Sequence, residues 1–247
     1  MNQEEYIDFD PKIPRHKSFI TKYLILIIVF IYLLEASFNA LYNDKAIIYL
    51  GAKWNEGINN GQLWRLFTYS FLHGNLIHLL LNIVALNAFG KEVESFYGSW
   101  KFLIIYSSSV WGGGLASYYF SSGLAIGASG GLFGIIGSLI IYFYKQKDFI
   151  EGAIFKFKSM YTLVIINIIL GFIIPKIDNF GHLGGLLTGL ITSWLIAPQY
   201  KLYVNENSGI LSVVEIKHFL KNTSLIFLNI ILLILITFIC LHTKKGN

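Results

Sequence analysis

Apolar runs of about 20 residues alternate with short polar stretches along nearly the whole chain. A bilayer span needs roughly 20 mainly apolar residues. The pattern predicts seven spans, at about 19–39, 70–90, 101–120, 126–144, 160–175, 181–198 and 223–242. The first has its apolar core between Tyr23 and Leu34 and is preceded by Arg15, Lys17 and Lys22. No small-x-small cleavage site follows, so it reads as an uncleaved anchor and not a signal peptide. Residues 1–12 read as flexible, and no internal repeat or low-complexity tract interrupts the pattern.

Composition narrows the class. Of 247 residues, 55% are hydrophobic and 13% charged, against roughly 25% charged in a soluble domain. Intrinsic disorder, a secreted disulfide scaffold and a soluble enzyme are excluded. A formal charge of +5 invites a nucleic-acid partner. The basic residues, however, sit in short clusters between apolar runs, as in cytoplasmic loops of membrane proteins, so no nucleic acid is implied. The single cysteine, Cys240, lies in an apolar stretch and builds neither a disulfide nor a metal site. With the N-terminus inside, thirteen Lys and Arg fall on the inner side. Six fall outside: Lys45, Lys53, Arg65, Lys176, Lys244 and Lys245. That bias predicts N-terminus in and C-terminus out.

Two outer connections are unusual. The first, about 40–69, carries Trp54, Trp64, Arg65 and a Gly- and Asn-rich stretch, and is predicted to lie in the membrane interface. The third, Ser121–Ile126, has no charge. It can dip into the membrane only where protein or a water cavity satisfies its backbone.

Polar side chains inside spans are candidates for function, because burying them without partners costs several kcal/mol. His73, His78 and Asn82 open the second run, Ser129 the fourth and His182 the sixth. In the predicted orientation these runs all start near the outer face, so five polar groups share one level. Ser129 sits in Gly127-Ala128-Ser129-Gly130-Gly131, where small neighbours permit a sharp turn that exposes the hydroxyl. The same glycines suit close helix packing, and both readings hold together. Gly185 and Gly189, after His182, give a smooth face for the glycine-rich fourth helix, which would bring His182 beside Ser129. Histidine is the base a serine nucleophile requires; the plainer reading is a helix-start histidine. Asp178, four residues upstream, is an orienting acid or, more simply, a cap.

His78 and Asn82 share a helix face, and with the Ser129 N–H can cradle an oxyanion. His73, five residues before His78, lies about 140° around a regular helix, so the two cannot share a metal. The chain contains neither His-Glu-x-x-His nor Gly-x-Gly-Asp. Zinc and aspartyl intramembrane proteases are thereby set aside.

Trp64-Arg65, the ordered set His73, His78 and Asn82, Gly127-Ala128-Ser129-Gly130, and His182 with Gly185 and Gly189 together resemble the rhomboid family of intramembrane serine proteases. The resemblance covers about residues 20–198. It implies an all-α polytopic membrane protein with a six-helix core at 19–198, after a cytoplasmic tail at 1–18. A cytoplasmic loop at 199–222 and a seventh helix at 223–247 follow. It implies a Ser129–His182 dyad without a required aspartate, and oxyanion contacts from His78, Asn82 and the Ser129 N–H. Phe133 would stack on His182. Gly127, His73, Trp64 and Arg65 would be supporting residues, and Glu94 a contact on the cytoplasmic side. The implied activity is cleavage of transmembrane proteins that enter laterally from the bilayer, with no metal or cofactor. The implied location is a bacterial inner membrane, with the site facing outward. The rivals are a rhomboid-like binding module, which the presence of both Ser129 and His182 argues against, and a transporter. A transporter would need polar groups continuing below the outer third.

Overall fold

The computed structural model describes residues 13–42, 46–175, 177–204, 211–216 and 219–245, and they are mostly helical. The expectations for residues 1–12, Lys45, Lys176 and Lys217 lie outside this set. Helix α1 is Ile20–Tyr42. The first outer connection folds into α2 (Ala46–Leu50), α3 (Asn55–Asn59) and α4 (Arg65–Thr68), then a 3₁₀ turn at Tyr69–Phe71. Helix α5 (Leu76–Ala85) continues through a π-helical turn, Leu86–Gly90, into α6 (Lys91–Tyr97). Then come α7 (Ser99–Phe120), α8 (Ser129–Lys145), α9 (Ala153–Ile173), α10 (Asn179–Ile196) and α11 (Phe219–Lys245). Among the described residues, four stretches are long and apolar enough to cross a membrane: Ile20–Ala40, Leu76–Tyr97, Ala153–Ile173 and Thr223–Lys244.

The second predicted run is displaced. Its helix starts at Leu76 and not near 70, because Asn75 is extended and its side chain accepts the His78 N–H at 2.8 Å. It continues past 90 to Tyr97, through Glu92 and Glu94. Glu94 is tolerated there because its carboxylate accepts the N–H groups of Phe19, Ile20 and Thr21 at 2.9–3.0 Å. It also accepts the Thr21 and Ser99 hydroxyls. A carboxylate thus sits on the positive end of α1, satisfying donors that have no partner within the helix.

The all-α expectation also needs correcting. Within 199–222, β1 (Tyr200–Val204) pairs antiparallel with β2 (Leu211–Glu215), with Leu202 opposite Val213. Tyr200 and Val213 turn into the core, and Glu215 pairs with Lys101 at 3.6 Å. A hairpin this short, lying among predicted loop residues, left no run long enough to signal a strand.

Helices α7, α8 and α10 form the centre, and small residues set their separation. A side chain on Gly185 would meet the Gly130 carbonyl, one on Gly189 would meet Gly134, and one on Gly113 would meet the Gly181 carbonyl. Helix α11 lies against α7 and α10. Asn229 donates to Thr192 at 3.0 Å, and Trp111 donates to Thr237 at 2.9 Å.

Candidate active site

Ser129 is the first residue of α8. The chain turns into it through Gly127, whose φ of +117° lies in a region L side chains rarely adopt. A Cβ there would also stand 2.6 Å from the His78 ring, so both backbone and space require glycine. The Gly127 N–H donates to the Tyr69 carbonyl at 3.0 Å, anchoring the turn. His182 stands in the first turn of α10, and its Nε2 lies 2.9 Å from Ser129 Oγ. With Nε2 as acceptor, the hydroxyl donates to the base that would take its proton. Phe133, one turn along α8, stacks on the His182 ring at 4.3 Å and 12°. That contact fixes the plane of the imidazole.

Asp178 caps α10. Its Oδ1 accepts the Gly181 N–H at 3.0 Å, and its carbonyl accepts the His182 N–H. The buried Nδ1 of His182 has no hydrogen-bond partner among the described residues. Ser129 and His182 thus meet through Nε2, with Asp178 turned to the backbone of its own helix and not to the imidazole.

His78 and Asn82 flank the turn from α5. Asn82 is buried, and its Nδ2 donates to the His78 carbonyl at 3.1 Å. An amide nitrogen carries two hydrogens, so one remains for an incoming oxygen. His73 precedes the helix, and its ring packs on His78 at 5.0 Å. The 140° separation assumed a continuous helix, which the Asn75 cap breaks. Among the described residues no third metal-ligating side chain joins the pair.

Arg65 is buried in the outer connection. It donates to the Ile48 and Ala52 carbonyls at 2.7 and 3.0 Å and to Gln62 at 2.6 Å. Its guanidinium lies 4.5 Å from the Trp64 ring. The pair ties α2, α3 and α4 into one body.

Three residues escaped the sequence reading. Glu35, the only carboxylate in the first apolar run, is buried and accepts the His73 N–H at 2.8 Å. An acid in such a run is itself the signal. Tyr69 donates its hydroxyl to the Val110 carbonyl at 2.9 Å and sits against Gly130 and Gly113. Only packing reveals it. Lys53 was read only as an outer charge, yet it is fully buried. Burial pulls its ammonium down to about 8, against the opposing charge of Asp178 and with the like charge of Lys244.

A family profile described as the Rhomboid domain matches residues 60–199, more than half of the chain. The chain belongs to the rhomboid family. Among its relatives is the rhomboid protease GluP of Bacillus subtilis, 35% identical over 71% of this chain and 34% of that protein. RHOMBOID-like protein 1 of Arabidopsis thaliana is 32% identical over 61% of this chain and 39% of that protein. Rhomboid-like protease 3 of Toxoplasma gondii is 34% identical over 60% and 57%. This rhomboid therefore spans between about a third and somewhat over half of those relatives' lengths.

Proposed function

We propose that this rhomboid is an intramembrane serine endopeptidase that hydrolyses peptide bonds in or beside transmembrane segments. The observation that carries the reading is the 2.9 Å approach of Ser129 Oγ and His182 Nε2 at the starts of two helices in a membrane protein. His182 takes the Ser129 proton as Oγ attacks the substrate carbonyl. The Ser129 N–H, His78 and Asn82 stabilise the oxyanion. His182 then protonates the leaving amine, and water resolves the acyl-enzyme by the same steps in reverse roles. Gly127, Phe133, His73, Trp64 and Arg65 hold these groups in place, and no metal or cofactor takes part.

The proposed topology has seven spans, N-terminus in and C-terminus out, in a bacterial inner membrane. The catalytic core is 19–198, followed by the inner connection 199–222 and the additional helix 223–247. The site opens outward. Substrates arrive laterally past α9, whose outward faces are largely exposed on the isolated chain. A helical carbonyl is shielded by its own hydrogen bonds, so the substrate must unwind locally. Segments weakened by Gly or Pro near the outer edge are favoured.

The test is cleavage of a transmembrane substrate bearing an outer-edge Gly-Pro pair, in vesicles holding the full chain. Wild type should cleave, and Ser129→Ala and His182→Ala should not while staying folded. Comparable cleavage by either variant would end the protease reading.

A further inference from the structure

The segment that leads into Ser129 is held at every second residue. Ser121 and Gly123 present their carbonyls to Lys53 Nζ, at 3.1 and 2.7 Å. Ala125 pairs with the Lys53 backbone in both directions, at 3.0 and 3.2 Å, and Gly127 donates to Tyr69. Lys53 alone thus makes contacts to positions 121, 123 and 125, two by side chain and one by backbone.

Neighbouring donors grip the end of α7 just upstream. Asn55 donates to the Ser121 and Tyr118 carbonyls at 2.9 and 3.3 Å. From the last turn of α11, Lys244 donates to the Tyr118 carbonyl, and to that of Tyr119 at 3.1 Å. Cations at a helix C-terminus satisfy orphan carbonyls and favour the dipole, which would explain Lys244 and Asn55 as caps. That account covers the Lys53 bond to Ser121 but not its shorter one, to Gly123, beyond the helix. Burying an ammonium is costly without good partners, and a shorter polar residue would cap α7 as well.

We propose that Lys53 is a positioning residue for the nucleophile: it holds the 121–127 segment in register so that the Ser129 hydroxyl and N–H meet His182 and the oxyanion. This rests on the proposed function for its catalytic consequence, while the clamp itself is readable without activity. A misplacement of about 1 Å in such a site costs on the order of a hundredfold in rate.

The charges acting on Lys53 are Asp178 at the start of α10 and Lys244 on α11. Its folded value of about 8 lies below the ordinary 10.5, so the folded chain holds fewer protons than an opened one between those pH values. Closing of the segment is then favoured as pH rises through that window. The sign is the opposite of that for an exposed ion pair.

The experiment uses the full chain in phosphatidylethanolamine–phosphatidylglycerol vesicles, comparing wild type with Lys53→Met. Amide hydrogen exchange of residues 121–127 is followed at pH 7 to 10, corrected for intrinsic exchange, together with the rate of fluorophosphonate labelling and the Tm. Lys53→Met should open the segment at least about tenfold more, the scale of losing charge-assisted hydrogen bonds to buried carbonyls. It should label at least tenfold more slowly, with α7 and α10 protected as in wild type. Wild-type protection at 121–127 should rise above pH 8, and that rise should vanish in the variant. Unchanged exchange in Lys53→Met, or protection lost equally across α7 and α10, would overturn the proposal. Should Lys53→Met not fold, Lys53→Gln takes its place: its shorter amide can cap α7 but does not span to Gly123, so 121–127 should still open about tenfold more, and unchanged exchange there would overturn the proposal. Failure of wild type to label would count against the proposed function alone, since exchange does not depend on it.

Discussion

The carbonyl of Gly130 occupies the space that a side chain on Gly185 would need. This contact lies one residue from Ser129 and three from His182, on facing helices. It sets how close the starts of α8 and α10 approach, and therefore the 2.9 Å separation of Ser129 Oγ and His182 Nε2. Any larger residue at either position trades that separation for volume.

Gly185→Ala therefore should lose activity although alanine is the better helix former. The propensity gain is about 1 kcal/mol, and overpacking a tight contact costs about 1–3 kcal/mol. Here the obstacle is a backbone carbonyl that cannot rotate away. A lowered Tm and a markedly reduced cleavage rate are expected, measured in the same vesicles. Wild-type values for both would contradict the packing account.

Asp178 separates a cap from a third catalytic member. Asparagine caps a helix as well as aspartate, so Asp178→Asn should keep the cap and near wild-type turnover, losing only the charge that acts on Lys53, whereas Asp178→Ala should also lose about 1 kcal/mol of capping stability. An orienting acid behaves differently, since amide replacement in a triad lowers kcat by about ten-thousandfold. Turnover of Asp178→Asn decides between them.

For the proposed oxyanion groups, His78→Ala and Asn82→Ala should each retain cleavage reduced by roughly 10–1,000-fold, the range for one lost donor and smaller where donors are redundant. A variant with wild-type kcat removes its residue from that role.

The depth of Ser129 follows from α8. Seventeen residues from Ser129 to Lys145, at about 1.5 Å each, span about 26 Å. The hydrocarbon core is roughly 30 Å thick, so Ser129 should lie a few ångströms below the outer boundary. In a Cys240→Ser background, Ser129→Cys should react with a small polar thiol reagent added outside. Reaction from the inside only would contradict both depth and orientation.

Much of this arrangement was legible in the residues. Apolar runs mark helices because a lipid-facing helix is apolar over its whole length, and Gly185 and Gly189 announced a face that could meet Gly130 and Gly134. What stayed hidden depends on partners far along the chain. The predicted second span stopped near 90, before Lys91, Glu92 and Glu94, because charges read as a boundary, yet the N–H groups of residues 19–21 satisfy Glu94 inside the helix. Asn75 moved the start of α5, and with it the His73–His78 relation, because a cap acts through local geometry that hydropathy does not register. Lys53 counted as one outer charge, since its partners are carbonyls, which have no sequence signature.

The central claim is that Ser129 is an activated nucleophile with His182 as its base. The most direct measurement is covalent labelling of the full chain by a fluorophosphonate probe in vesicles, with the adduct located by peptide mass spectrometry. The account predicts a single adduct on Ser129, absent in Ser129→Ala and strongly slowed in His182→Ala. Labelling that persists in Ser129→Ala, or that maps to another residue, would contradict it.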